Sequence, residues 1–260
     1  MTAKLEVRNL TKVYFGPRGS TVALKDVSFD VRAGEFMCIC GPSGCGKSTL
    51  FNIIAGLDTA TGGAVSIEGR DVTTAMRGHV SYMFQKDLLV PWRTVAQNVA
   101  LSLEVKGVRK RPALARAQEY VERYGFADFA DAFPKSLSGG MRQRVALMRT
   151  LALESDVILM DEPFASLDYP TKLAIETELR GIVGELGKTV LFVTHDIEEA
   201  VSLGDRVMVL SGRPGSVRKI HDVDLFGRTG SVVQARGAEG FREMFNAVWS
   251  ELDTTTEARL

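Results

Sequence analysis

The sequence has no apolar run long enough to cross a membrane. A spanning helix needs about eighteen or more apolar residues in succession, and the longest apolar stretches here, such as 36–40 and 157–160, are far shorter. Any membrane role is therefore expected to be peripheral. No basic-then-apolar segment opens the chain, so secretion is not expected. A charge surplus is also missing: 32 basic and 32 acidic residues leave zero net charge over 260 residues. General nucleic-acid binders are basic overall, so a nucleic-acid partner is not expected. Cysteine is scarce. Cys38, Cys40 and Cys45 are the three, and an odd count packed into eight residues is no disulfide framework. Cys38 and Cys40 would share one face of a strand, but nearby His or Cys partners for a metal are lacking. Core packing is the expected role, and reduced thiols point to the cytoplasm. Internal repeats and low-complexity segments are absent as well.

What is present is dominated by Gly41-Pro42-Ser43-Gly44-Cys45-Gly46-Lys47-Ser48-Thr49. It fits the phosphate-loop pattern of a glycine-rich turn closed by Gly-Lys-Ser/Thr. An apolar strand candidate (36–40) precedes it and a helix start (50–55) follows, which is the context the motif requires. Glycines let the backbone turn tightly and approach an anion closely. The N–H groups of the loop and of the new helix then point at phosphate oxygens. Lys47 adds a compact positive charge for the β- and γ-phosphates, and the Ser48 hydroxyl is suited to ligate Mg²⁺. Cys45 lies inside the loop, where helix-end N–H groups are expected to lower its pKa and make it alkylatable.

Around the loop, residues 4–10, 22–31 and 64–68 alternate polar and apolar, which predicts an antiparallel sheet. Further strands are expected at 80–84, 157–160, 189–194 and 206–210. Helical spacing predicts helices over 94–105, 112–124, 126–132, 138–153, 170–186, 197–203 and 241–252. Pro112 suits a first helical position, the basic stretch 106–111 reads as a solvated loop, and 254–260 is expected to fray. Apolar strands alternating with helices indicate an α/β fold with a mostly parallel sheet. At this length one α/β domain, or one with an inserted subdomain, is expected. The stretch 88–150 reads as a helical insertion, and 212–260 as a short C-terminal extension with little room for a regulatory domain.

Asp161 and Glu162 end the apolar strand 157–160, outside the carboxyl end where a nucleotide site is expected. The first is placed to hold Mg²⁺ through water, and the second to take a proton from attacking water. Ser138-Gly139-Gly140 opens a helix. It is either an ordinary cap with Ser138 as N-cap or a second anion-ready N-terminus; spacing alone favours the cap.

Here a resemblance enters. Leu137-Ser138-Gly139-Gly140-Met141 is similar to the signature of ATP-binding-cassette ATPases, and Leu137 lies twenty-four residues before Asp161, as in that family. The order phosphate loop, Gln85, signature, 157–162, Ser166-Leu167-Asp168, His195 matches over roughly residues 4–211. The resemblance implies a P-loop NTPase core with an N-terminal antiparallel β subdomain and an inserted helical subdomain. It implies ATP hydrolysis with Mg²⁺. Tyr14, with Phe15 as a rival, would stack on adenine. Gln85 would touch Mg²⁺ and the attacking water and sense the membrane partner. Glu162 would be the catalytic carboxylate, His195 the switch histidine at the γ-phosphate, and Asp168 a loop residue crossing a dimer interface. Met141 departs from the commoner glutamine of the signature.

In this family the signature of one chain completes the ATP site of another, so a second ATPase subunit, identical or a close paralogue, is implied. A lone cassette resembles an importer's ATPase subunit at the cytoplasmic face of the membrane. It would work with transmembrane permease subunits and, indirectly, with a periplasmic or extracellular solute-binding protein. Residues 85–95 with Asn98-Val99, above all Pro91-Trp92, are similar to the nitrate/sulfonate/taurine importer group. Trp92 either lines a permease groove or packs inside the subdomain. Two other readings are weighed. A soluble cassette ATPase of DNA repair or translation control usually has coiled coils, paired cassettes or basic arms, which this sequence does not show. A small-molecule kinase would lack the signature and Ser166-Leu167-Asp168, and a GTPase would carry an N-K-x-D motif that is not seen.

Overall fold

The computed structural model describes residues 3–17, 19–71 and 80–257. They fall into two compact units, residues 1–77 with 176–260, and residues 78–175.

In the first unit, β1 (Ala3–Gly16) and β2 (Gly19–Arg32) form a long antiparallel hairpin, and β1 pairs on its other side with β4 (Gly62–Ile67), which carries the two-residue β5 (Arg70–Asp71). Alternation explains the inner half: Leu5, Val7 and Leu10 are buried opposite Val31, Phe29 and Val27. The strands run further than that alternation because the backbone ladder continues past the buried half, pairing Tyr14 with Thr21 and Phe15 with Ser20. The second sheet segment of this unit is parallel. The entirely buried β3 (Phe36–Cys40) lies between β8 (Thr189–Val193) and β9 (Arg206–Leu210), as continuous apolar runs do when both faces are covered. Helix α1 (Lys47–Ile54) follows β3, and α6 (Ile197–Leu203) follows β8.

The stretch 212–240 carries no clear period in the sequence. It forms β10 (Val217–Asp222), antiparallel to β9, then the short helices α7 (Leu225–Thr229) and α8 (Val232–Gly237). Helix α9 (Phe241–Glu257) starts where expected but continues through 254–257 instead of fraying; 258–260 lie outside the described residues. β10 lacks a clear period because its ladder partner β9, not its own side chains, stabilises it.

In the second unit, β6 (Val80–Met83) runs parallel to β7 (Val157–Asp161), with Met83 beside Met160. Between them come α2 (Val95–Val105), α3 (Lys110–Arg123) and α4 (Gly139–Ala152). Helix α5 (Tyr169–Glu185) follows β7. α3 begins two residues earlier than expected, so Lys110 and Arg111 are helical and Pro112 is the third helical residue. That position is tolerated because a first-turn N–H has no intrahelical partner anyway. The helix expected over 126–132 is only a single 3₁₀ turn, Ala127–Phe129. Its backbone closes only three-residue turns, Phe129 N to Phe126 O, Ala130 N to Ala127 O and Ala132 N to Phe129 O, and the carbonyls of Ala130 and Ala132 accept the N–H groups of Ala96 and Val95 at 3.0 and 2.9 Å, satisfying the start of α2.

The start of α2 is tied down twice. Thr94 and Gln97 form a reciprocal capping box. Fully buried Asn98 accepts from Val90 N at 2.7 Å and donates to the carbonyls of Val90, Arg93 and Thr94 at 3.2, 3.0 and 3.0 Å. Asn98→Ala strands the Val90 N–H and removes the donor for three carbonyls. We expect a loss of about 1–3 kcal/mol in urea unfolding; an unchanged midpoint would show that this amide is not what holds the 90–94 turn.

Candidate functional site

The phosphate-loop sequence adopts the geometry its glycines require. Gly46, the N-cap of α1, has φ +105°, and a Cβ there would meet Leu24 Cδ2 at 2.7 Å. A Cβ on Gly41 would meet Cys45 Sγ at 2.8 Å. No side chain caps α1, so its N-terminus is presented through backbone N–H groups alone. Lys47 is buried and donates to the carbonyls of Gly41 and Pro42 at 2.7 and 3.1 Å, which sets its ammonium within the curl of the loop. Ser43, Gly44 and Ser48 are exposed, Pro42 and Thr49 half-buried. An uncapped helix start beside an inward-held ammonium fits a nucleotide phosphate chain.

Cys45 differs from expectation. It is buried, and burial outweighs the Lys47 charge and the loop N–H groups, so its thiol is pushed up and not down. The helix-end argument fails because a low thiol pKa needs access to water as well as positive potential. Cys38 and Cys40 are free and buried in β3; burial drives Cys38 well up and Cys40 to about 12. Among the described residues no cluster of three or more His, Cys, Asp or Glu could hold a metal. A phosphate-borne Mg²⁺ needs only one or two protein oxygens; Ser48 offers a hydroxyl in the first unit, and Asp161 and Gln85 offer a carboxylate and an amide oxygen in the second.

His195 is exposed directly after β8, whose Val193 pairs with Ile39 of β3, so histidine and loop leave adjacent parallel strands at the same end. Its flank is ordered by Thr194, which accepts from Asp196 N at 3.0 Å and donates to buried Glu199. Asp196 then caps α6 by accepting from Glu198 N and Glu199 N. Tyr14 is 42% exposed and donates to Asp58 Oδ2 at 2.8 Å; its neighbour Phe15 is more exposed, at 81%.

In the other unit, the parallel pairing of β6 with β7 brings Gln85 and Glu162 together: Gln85 Nε2 donates to Glu162 Oε2 at 3.2 Å. Glu162 has φ +46°. A left-handed non-glycine residue costs about 1–2 kcal/mol, and such strain is commonly retained where a side chain must be aimed. Asp161 accepts from the Tyr82 hydroxyl at 3.3 Å, and Tyr82 is pushed up by burial and by that carboxylate. Ser138 is the N-cap of α4 and accepts from Met141 N at 3.3 Å, so the cap reading describes its geometry; Gly139 is exposed and Gly140 half-buried beside it. Asp168 is exposed and accepts from Thr171 N at 3.2 Å; that bond holds its carboxyl below the usual range. Trp92 is 76% exposed, which removes the packed-inside alternative.

Sequence reasoning missed the supports of this loop. Arg149 donates to the carbonyls of Asp87 and Leu88 at 2.6 and 2.8 Å, Arg142 bonds Asp87 at 3.0 Å, and Gln143 Nε2 donates to Gln85 O at 3.2 Å. All three come from α4, so the signature helix grips the segment that carries Gln85. Tyr82 was missed too: its bond to Asp161 follows from the β6–β7 register, which pairs it with Leu159, two residues before Asp161 on the same face.

The ABC transporter family profile matches residues 24–165. An uncharacterized ABC transporter ATP-binding protein of Methanocaldococcus jannaschii is 47% identical over 86% of this chain and 84% of its own length. The nitrate import ATP-binding protein NrtD of Synechocystis is 45% identical over 86% and 84%. The taurine import ATP-binding protein TauB of Rhizobium johnstonii is 44% identical over 95% and 96%. A solved dimeric post-hydrolysis state of the ATP-binding cassette MJ0796, bound to ADP and Pi, is 35% identical with a TM-score of 0.75 and covers 84% of this chain and 98% of the neighbour.

The three thiols supply a test of the corrected loop chemistry. At neutral pH raised, buried thiols stay protonated. Iodoacetamide should therefore leave Cys45 unlabelled in the folded protein and label it fully in urea, read by peptide mass. Rapid native labelling of Cys45 would contradict the burial argument.

Proposed function

The chain belongs to the ABC transporter family of ATP-binding proteins, and we propose that it powers import of a small solute of the nitrate, sulfonate or taurine kind by ATP-driven closure of a dimer. It is an ATPase, the ATP-binding subunit of a membrane importer. What carries the solute class is likeness over most of the chain to import proteins named for nitrate and taurine. No helix among the described residues is long and apolar enough to cross a membrane, which agrees with peripheral attachment at the cytoplasmic face through permease subunits. A solute-binding protein acts indirectly, and no nucleic acid takes part.

Bound MgATP supplies the bond to be cleaved and the metal's share of charge neutralisation. In the proposed mechanism the loop N–H groups, Lys47 and Ser48 would hold the phosphates, and Ser48, Asp161 and Gln85 are the oxygen donors that would hold a Mg²⁺ carried with them. Tyr14 stacks on adenine. Glu162 orients a water and takes its proton, with Gln85 steadying the carboxylate through the bond described above. His195 contacts the γ-phosphate and with Lys47 offsets developing charge. Ser138, Gly139 and Gly140 complete the site of a second ATPase chain, with Asp168 at the shared interface. Two nucleotides then bridge two chains, and hydrolysis releases them. Residues 88–150 act as the helical subdomain facing the permease, with exposed Trp92 as an anchor.

Glu162→Gln keeps shape and removes the base. ATP binding should persist, turnover should fall about 10²- to 10⁴-fold, and ATP should trap a dimer in analytical ultracentrifugation; normal turnover would remove Glu162 from the base role. Trp92→Ala should fold with an unchanged melting curve yet fail to co-purify with the multi-span permease. Intact co-purification and transport would remove the coupling role.

A further inference from the structure

Between the adenine-stacking candidate and the phosphate loop lies a set of contacts that the proposed mechanism does not use. Helix α1 starts at the loop, and the chain then folds back. The N–H groups of both Leu57 and Asp58 donate to Asn52 O, at 2.8 and 3.1 Å. Asp58 is thereby fixed to the helix whose N-terminus forms the cradle. Its Oδ2 accepts from the Tyr14 hydroxyl at 2.8 Å, and its Oδ1 accepts from Lys12 Nζ at 2.6 Å and from Thr59 N at 2.7 Å. Lys12, itself buried, also donates to Thr59 O at 2.7 Å. Lys12 and Tyr14 are two apart on β1 and so share a face. The ammonium lies over the Tyr14 ring, 4.7 Å from its centroid.

We infer that Asp58 and Lys12 are positioning residues that hold the Tyr14 ring at a set reach from the phosphate loop, so that a purine base stacks on a pre-placed platform. This rests on the ATP-binding reading above. Three observations support it together. The phenol end of the ring is tethered. One ring face is covered by a cation, while the residue stays 42% exposed and so keeps surface for a base. The tether runs through the loop's own helix, so base platform and phosphate cradle belong to one frame. The arrangement also separates the two adjacent aromatics. Alternation sends Phe15 to the other side of β1, opposite Ser20, while Tyr14 has the anchored ring. The Lys12 contact, followed by the Tyr14 contact, keeps the Asp58 carboxyl below its usual range. A platform ordered before binding spares the ligand the cost of ordering it.

The test compares ATP with inorganic tripolyphosphate, which has the phosphates and no base. Dissociation constants of both, with Mg²⁺, are measured by calorimetry for wild type, Tyr14→Phe, Asp58→Asn, the double variant and Tyr14→Ala, each checked by thermal melting. Tyr14→Phe removes only the hydroxyl and leaves the Lys12–Asp58 pair in place. We expect each single variant to weaken ATP about three- to tenfold, with tripolyphosphate unchanged and the double variant no weaker than either. In turnover KM should rise more than kcat falls. If Asp58→Asn weakens tripolyphosphate as much as ATP, Asp58 serves the loop alone and the inference is overturned. Additive single effects, or ATP affinity unchanged in Tyr14→Phe, overturn it too. Tyr14→Ala separates the two levels: a lowered ATP preference there with none in Tyr14→Phe means stacking stands and the tether fails, whereas no change in Tyr14→Ala means the stacking role itself fails.

Discussion

The backbone ladder that β3 shares with β8 on one side and β9 on the other is the constraint on which the first unit depends. β3 has no exposed residue, so it cannot shift register without burying the wrong groups. Its carboxyl end therefore delivers Gly41 at one place, and β8 delivers His195 beside it. Everything polar at that edge is then arranged locally: the turn of Gly46 into α1, the inward Lys47, and the Thr194–Glu199 contact that shapes the histidine turn. Arg180 secures the opposite end of these strands. Its guanidinium lies between the rings of Phe36 and Phe226, 5.1 and 5.2 Å from their centroids, and pairs with Asp205.

In the second unit the same logic is applied by fewer strands and more side-chain bonds. The β6–β7 pairing sets Gln85 beside Glu162, but the segment after Gln85 has no ladder of its own. It is held from α4 by Arg142, Gln143 and Arg149, and from α2 by Asn98. Leu88, whose carbonyl Arg149 holds, and Glu162, which accepts from Gln85, both have left-handed backbones. The loop after Gln85 is thereby tied to the helix that begins at Ser138.

Much of the fold could be read from pattern. The apolar runs at 36–40, 157–160, 189–194 and 206–210 appear as strands within a residue of their expected bounds, because buried parallel strands tolerate little else. The misses share a cause. The stretch 126–132 has helical spacing, yet its backbone closes three-residue turns and its last carbonyls pair with the start of α2, a neighbour its own spacing does not reveal. β10 is stabilised by a neighbour rather than by a period. Cys45 sits in positive potential, but its environment is set by packing against residues the local sequence does not include.

The sequence by itself determined the family, the ATPase chemistry and the residue types at each position of the phosphate loop, since anion binding by backbone demands glycines and a lysine at fixed spacing. It also determined that Trp92 and Tyr14 merited attention, without deciding between the alternatives at either. Tertiary structure set their surroundings. It exposed Trp92, buried Cys45, joined Gln85 to Glu162, and tied Tyr14 through Asp58 to the loop's own helix. The physical reason is range. Turn chemistry and period act over a few residues and are written locally. Burial and side-chain hydrogen bonds between residues such as Tyr14 and Asp58, forty-four apart, exist only once the strands and helices between them have folded.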